Sequence, residues 1–359
     1  MLTITDISTT IFRLPLQGQL RWGKHSVLNE LRHVLVHVTL SDGAQGVAEA
    51  PPRPTIYGET VYSICSIIEH EFKPRLLGQS AFDLSPIAQI KNNHTASGAL
   101  DMAVQDALAQ STGVSLAQFL GCTATTIPVS YILGISDDDT MLAEAQRVFD
   151  RGVRVLKVKV GRDWPADVRR LHSLQAQFGD DMQLYADANE GFAVENAATR
   201  LDQLKEMGVL YCEEPLPVEL ILARSNLQSG QHLPIIADDS TFTFRDLQRE
   251  LALNTFDILN IKTARTGFTI SKQMLSLAQQ AGRGVMVGSQ ASSSLGIAHA
   301  GLFAALPGID HPSELSFFLK LKEEIVSRSP PICEGVIQVA DLLNVKIDPD
   351  LLKAATAVI

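Results

Sequence analysis

The hydrophobic pattern along this chain changes period twice. It begins by alternating: LTITDISTTIFRL, RHVLVHVTLSDG and AQGVAEAPP each read as a strand, with Ser41-Asp42-Gly43 as a hairpin turn between the last two. Between the first two lies PLQGQLRWGKHSVLNEL, whose glycines and charges read as a long loop close to a ligand. From Gly58 to about Leu77, and again from Ser97 to Leu120, the spacing turns helical. There ASGALDMAVQDALAQSTGVSLAQFLG reads as an amphipathic helix, a break and a second short helix.

After residue 122 short apolar runs recur, at 127–134, 155–161, 184–190, 210–215, 234–240, 258–264, 284–290 and 309–315, with helical spacing between them. Alternating β and α units imply a parallel sheet, and eight of them imply a closed barrel. An open doubly wound sheet is the alternative, but it usually has fewer strands and a Gly-rich first turn. Neither G-x-G-x-x-G nor a P-loop sequence occurs. The expected organisation is an α+β domain over 1–122, a barrel over 123–319, and a segment 320–359 that is too short for a domain and packs back on the first.

Composition narrows the function classes. Hydrophobic residues at 45% and charged residues at 19% suit an ordinary globular chain, and a net charge of −10 argues against a nucleic-acid surface. No apolar run approaches the ~20 residues that cross a bilayer, and the first residues lack the basic-then-apolar plan of a signal peptide. Cys65, Cys122, Cys212 and Cys333 lie far apart with no C-x-x-C spacing. Neither a disulfide framework nor a zinc site is expected, and a cytoplasmic location is the default.

The candidate chemistry lies where the strand pattern is broken. In VLKVKVG, Lys157 and Lys159 project to one face while Leu156, Val158 and Val160 project to the other. The next three runs end in Asp187, Glu213 and Asp238, one βα unit apart, which places three carboxylates side by side at the barrel mouth. Three converging carboxylates repel, a divalent cation resolves this, and all-oxygen ligation suits Mg²⁺ or Mn²⁺ better than zinc. A single acid here would read as a helix cap; three at one register point to a metal site. Glu214 and Asp239, one residue along, are assigned to capping or to the outer face. Lys262 follows in ILNIKTA, so lysines flank the acids on both sides. The charge of Lys157 is expected to lower the pKa of Lys159 and make it a base near neutral pH. A structural salt-bridge network is the competing reading.

As an ordered set, K-x-K at 157–159, D-x-N at 187–189, E-E-P at 213–215, D-x-S at 238–240 and N-x-K at 260–262 resembles the enolase superfamily, and within it the muconate lactonizing subgroup. GALDMAVQDALAQSTGVSLAQFLG resembles the helical end of that family's capping domain, and GSQASSSLGIAHAGLFAALP its seventh-strand segment. The mandelate racemase pattern is absent, since the seventh run ends in Ser289 and Gln290. The resemblance implies a TIM-type (β/α)7β barrel with an N-terminal α+β capping domain completed by the C-terminal segment. It also implies one Mg²⁺ or Mn²⁺ on Asp187, Glu213 and Asp238. Proton transfer α to a carboxylate would pass through an enediolate, with Lys159 and Lys262 on opposite faces and Lys157 stabilising the charge. A small carboxylate substrate and a homo-oligomer, dimer or octamer, are implied as well, with neither nucleic acid nor membrane as partner.

Within the subgroup cycloisomerisation of a muconate is the expected reaction, with epimerisation of a dipeptide or N-acylamino acid and an o-succinylbenzoate synthase-like dehydration as the alternatives. Glu314-Leu315-Ser316 resembles the TEL of cycloisomerases and lacks the second carboxylate of the D-x-D of dipeptide epimerases; Ser292 stands where cycloisomerases often carry a glutamate. Substrate contacts are expected from Trp22, Lys24, Arg53, Asn189, Ser292 and Glu314, with Arg21 and Arg32 as further partners for a second carboxylate. A non-catalytic relative would show a damaged acidic trio or lost lysines, and all six residues are present.

Overall fold

The computed structural model describes residues 2–22, 26–227 and 232–356. The first sheet is antiparallel, in the order β1 (Ile4–Trp22), β2 (Ser26–Leu40), β3 (Gln45–Ala50). The described residues of the stretch expected to be a loop, 15–22 and 26–31, instead form the outer part of the β1–β2 pair. Leu14 pairs with Leu31 and, after a register shift between Pro15 and Leu20, Leu20 pairs with Leu28. The shift accommodates Pro15, which has no N–H to give the ladder. Along β1 alternation persists there, with Leu14, Leu16 and Leu20 buried and Arg13, Gln17, Gln19 and Arg21 exposed, so only the glycine and charge content suggested a loop. Lys24 and the Trp22 side chain lie outside the described residues.

The helix 94–111 is not amphipathic as its spacing suggested. Ala96, Ala99, Leu100, Ala103, Val104 and Ala107 are all buried, because one side packs on β2 and β3 and the other on the barrel helix 263–280. Small side chains let a helix lie between two layers in this way.

The barrel sheet is parallel and runs β5 (Tyr131–Ile132), β6 (Val155–Lys159), β7 (Gln183–Asp187), β8 (Cys212–Glu213), β9 (Ile235–Ala237), β10 (Ile258–Ile261), β11 (Gly284–Val287). The first expected run divides: β4 (Thr126–Pro128) leaves the barrel and pairs antiparallel with β12 (Val336–Gln338). The eighth run, interrupted by Pro312, forms no regular strand, yet it closes the ring. Ser130 N donates to Ser313 O at 2.8 Å on one side and Glu314 N to Val287 O at 2.8 Å on the other. The C-terminal segment touches both units. β12 pairs with β4 and the helix 339–343 meets the barrel helix 294–304, while Leu321 bridges to Leu16 and Thr356 to Phe12 in β1.

Inside the ring, Val155, Tyr185, Tyr211, Ile236, Ile258 and Met286 form a separate apolar cluster. Two residues further along each strand, on the same face, come Lys157, Asp187, Glu213, Asp238, Asn260 and Gly288. The pleat therefore sets a polar layer directly above an apolar floor. Leu156, Val158 and Val160 belong to the outer core under the helices, as their parity requires.

One buried acid in the surrounding scaffold carries a pH signature. The Glu324 carboxylate accepts from Ser294 N at 2.9 Å and Ser294 Oγ at 2.6 Å, and burial pushes its pKa up from 4.5 to about 7. The folded state then binds this proton more tightly than the unfolded chain, so the group's contribution falls as pH rises from 4.5 to about 7 and is level beyond. Glu324→Gln should lose that slope. Urea midpoints taken at about pH 5 and about pH 8 should fall less for the variant than for the wild type. Equal falls would show that Glu324 is not the titrating group.

Candidate active site

A cavity of about 690 Å³ opens at the C-terminal ends of the barrel strands and is roofed by the N-terminal domain. Lys157, Lys159, Asp187, Asn189, Glu213, Asp238, Lys262 and Glu314 all line it. The adjacency of the acids follows from register: Asp187 pairs directly with Glu213 across β7 and β8, and Asp238 immediately follows β9. Each acid is almost completely buried.

The ammonium groups are distributed among these carboxylates. Lys157 Nζ lies 2.6 Å from Glu213 Oε1, 2.6 Å from Glu314 Oε1 and 3.0 Å from Asp187 Oδ2. Lys159 Nζ donates to Asp187 Oδ2 at 2.6 Å and to Asn189 Oδ1 at 2.7 Å. Lys262 Nζ donates to the Asp238 carboxylate, and Arg265 lies 3.5 Å from both Asp238 and Asp239. Burial alone would lower the pKa of Lys157, but Asp187, Glu213 and Glu314 outweigh it and hold the ammonium well above its usual value. Lys262 behaves alike: burial opposes the charge, Asp238 and Asp239 restore it, and the net direction is up.

Burial pushes the carboxylates up and the cations pull them down. For Asp187, Lys157 and Lys159 win, and for Asp238, Lys262 and Arg265 win, so both sit below the usual range. Glu213 goes the other way. Burial and the surrounding Asp187, Glu314 and Asp238 exceed what the shared Lys157 offers, and its proton affinity rises well above normal. The expected repulsion between Lys157 and Lys159 is corrected by the geometry, because the Asp187 carboxylate stands between the two ammoniums and takes both.

The fit to a divalent cation rests on this donor set: three buried carboxylates on adjacent strand ends, all oxygen, with Glu213 short of positive charge. Each of the three carboxylates also has a lysine partner. Among the described residues no three acid, His or Cys side chains stand at ligand spacing, since Lys157 bridges Asp187 and Glu213 while Lys262 and Arg265 draw on Asp238.

The remaining expectations divide. Asn189 and Glu314 line the cavity; Glu314 also accepts from Tyr185 Oη at 3.2 Å and, through Oε2, from Ser289 N at 2.7 Å. Arg53 lines it as well, but its guanidinium donates to the carbonyls of Pro52, Gln290 and Ala291, so it straps the N-terminal domain to the loop after β11. Ser292 is buried and is not among the residues lining the cavity, where Ser289, Gln290 and Ala291 stand instead. Arg21 turns to Gln19 Oε1, and Arg32 to Tyr62 Oη.

Glu214 is buried rather than outward. It accepts from Asp238 N at 2.7 Å, Ser240 N at 2.9 Å and Ser240 Oγ at 2.6 Å, fixing the turn that carries Asp238. Asp239 is on the cavity wall. Tyr57, Gln290 and Glu190 were missed. Tyr57 Oη donates to Gln290 Oε1, a contact between residues far apart in sequence that no local pattern announces.

Comparison with known proteins agrees with this architecture. Residues 11–121 match the mandelate racemase / muconate lactonizing enzyme N-terminal domain, and residues 140–350 match the enolase C-terminal domain-like family. The chain belongs to the enolase superfamily, in its muconate lactonizing enzyme-like subgroup. The structure is similar to that of a muconate lactonizing enzyme from Mycobacterium smegmatis complexed with muconolactone, with a TM-score of 0.93 and 34% identity over 99% of this chain and 100% of that one. In sequence it is 31% identical to the L-Ala-D/L-Glu epimerase of Bacillus subtilis, over 84% of this chain and 85% of the relative. A dipeptide epimerase from Cytophaga hutchinsonii complexed with Mg and D-Ala-L-Val aligns at a TM-score of 0.90 and 26% identity, over 99% of this chain and 98% of that one. These features make the chain an enolase superfamily enzyme of proton abstraction.

Proposed function

We propose that this enzyme is a muconate-type cycloisomerase, interconverting a cis,cis-muconate and a muconolactone. The observation that carries this reading is the eighth segment. Its carboxylate on the cavity, Glu314, is occupied by Lys157, Tyr185 Oη and Ser289 N, and Ser316 Oγ turns to Ser130 O at 2.7 Å. That wall has no carboxylate to spare for the ammonium group of a dipeptide. The similarity to a muconolactone-bound lactonizing enzyme over nearly the whole chain supports it.

In the forward reaction one substrate carboxylate adds to the conjugated double bond. A C–O bond forms, the π pair moves toward the carbon α to the other carboxylate, and that carbon takes a proton. Lys159, past the middle of β6, and Lys262, past β10, stand with three strands between them, so an ammonium is at hand on either side to deliver the proton. In reverse, the neutral amine of the same residue removes it. Lys157, at the floor of the cavity, faces the charge that gathers on the substrate carboxylate. Asp187, Glu213 and Asp238 would hold one divalent cation, Mg²⁺ or Mn²⁺, which supplies further positive charge to that carboxylate.

A second reading, epimerisation of a dipeptide, is favoured by the same pair of lysines and by Glu190 and Asp239 on the cavity wall. The two separate cleanly. Purified enzyme with Mg²⁺ should bleach the ultraviolet absorbance of cis,cis-muconate and show no α-proton exchange with a dipeptide panel in D₂O. Exchange into dipeptides without loss of muconate absorbance would replace the first reading by the second.

A further inference from the structure

We propose that Asp101, in the N-terminal domain, positions Lys262 in the barrel by capping, across the domain interface, the helix that follows β10. The proposal rests on reading Lys262 as a proton carrier. The helix 263–280 is broken at Gly267, where φ is 64° and ψ is 179°; the continuous helix starts at Phe268. Its first N–H groups have no acceptor within the helix. Residue 267 cannot supply a side-chain cap, because its φ is left-handed and a Cβ there would lie 2.6 Å from Asp101 Oδ2. Asp101 takes the place of that missing cap. Its Oδ2 accepts from Phe268 N at 2.5 Å and from Thr269 N at 3.1 Å.

The contact is built in detail. Gln105, one turn on, donates to Asp101 Oδ2 at 3.0 Å and to Thr269 Oγ1 at 3.0 Å. At Gly98 the helix 94–111 comes so close that a Cβ would lie 2.8 Å from Ala264 O. The turn 263–266 is therefore held between this helix and the end of β10. From the other side the turn holds the Lys262 carbonyl, which accepts from Arg265 N at 3.0 Å and Thr266 Oγ1 at 3.1 Å. A chain of bonds thus runs from Asp101 to the backbone of Lys262. The device recurs one unit later: Glu49 of β3 accepts from Ser293 N and Gly296 N, each at 3.1 Å, at the start of the helix after β11.

Asp101 touches neither the cavity lining nor a metal-ligand candidate, so it is a positioning residue. Asp101→Ala should lower kcat by about 100-fold, the cost of a misplacement near 1 Å, with little change in KM. Amide exchange should quicken in the 262–269 peptide and stay unchanged in β6 to β8. In a Lys262→Ala background the residual α-carbon deuterium exchange through Lys159 should change by less than about twofold on adding Asp101→Ala, since the effect has no lysine left to act through. Asp101→Asn, which keeps an acceptor oxygen, should recover most of the loss. If the alanine variant does not fold, Gln105→Ala carries the same test. Turnover equal to wild type, unchanged exchange at 262–269, or a full further loss in the Lys262→Ala background would each overturn the proposal. The assay uses whichever of muconate and dipeptide the wild type converts, so an error in substrate leaves this result intact.

Discussion

Lys159→Ala is expected to fold and to lose turnover by about 10²–10⁴-fold, the usual range for a general acid–base group, together with its α-carbon deuterium exchange. The variant should keep its structure because Lys159 lies at the partly exposed edge of the charged cluster. Asp187, which it leaves behind, still has Lys157 at 3.0 Å. Lys262→Ala should show a similar loss, with Asp238 still facing Arg265 at 3.5 Å. Lys157→Ala differs in kind. It strips the shared counter-ion from Asp187, Glu213 and Glu314 at once, and removing one partner of a buried ion pair costs about 3–5 kcal/mol. A depressed melting temperature should therefore accompany its loss of activity. The measurements are stopped-flow turnover, NMR exchange in D₂O and thermal melts. Full activity in Lys159→Ala would remove it from the proton path, and a normal melting temperature for Lys157→Ala would contradict its place as shared counter-ion.

The second large effect concerns Glu213, the acid at the centre of the trio. Glu213→Gln should abolish Mg²⁺ or Mn²⁺ binding by calorimetry and reduce turnover by more than about 100-fold, since one carboxylate of three is lost. Its effect on the metal-free protein has the opposite sign. Burial together with Asp187, Glu314 and Asp238 makes ionised Glu213 costly, and a neutral amide of the same shape relieves this. Without metal, above neutral pH, the variant should be at least as stable as the wild type. With metal at about 100 times its Kd the wild type should gain about 2.7 kcal/mol and the variant nothing. A variant that bound metal normally, or that was destabilised without it, would contradict the assignment.

Much of this site was legible in the chain because strand periodicity is a local property. A residue two positions beyond an apolar inward residue must share its face, so Lys157, Asp187, Glu213 and Asp238 could be placed in one layer before any tertiary contact was known. The eight-unit rhythm was equally local. Other features were misread where local signals were ambiguous. The segments 15–22 and 26–31 have the composition of a loop but pair as antiparallel strands. The helix 94–111 looks amphipathic to a periodicity count and is buried on two sides. Ser292 sits at the expected place in sequence but behind the cavity wall, because the chain turns at Ala291, where φ is 53°.

The amino-acid sequence by itself determined the barrel, the family, and which acids and lysines share a mouth, since these depend on spacing along single strands. Only the tertiary structure decided how charge is shared among them: one ammonium for three carboxylates, Asp187 between two lysines, Arg53 committed to carbonyls. It alone revealed that the cap reaches into the barrel through Asp101 and Glu49. Such contacts join residues more than a hundred positions apart, where no period in the chain connects them, and electrostatic balance in a buried cavity depends on distance in space rather than on order in sequence.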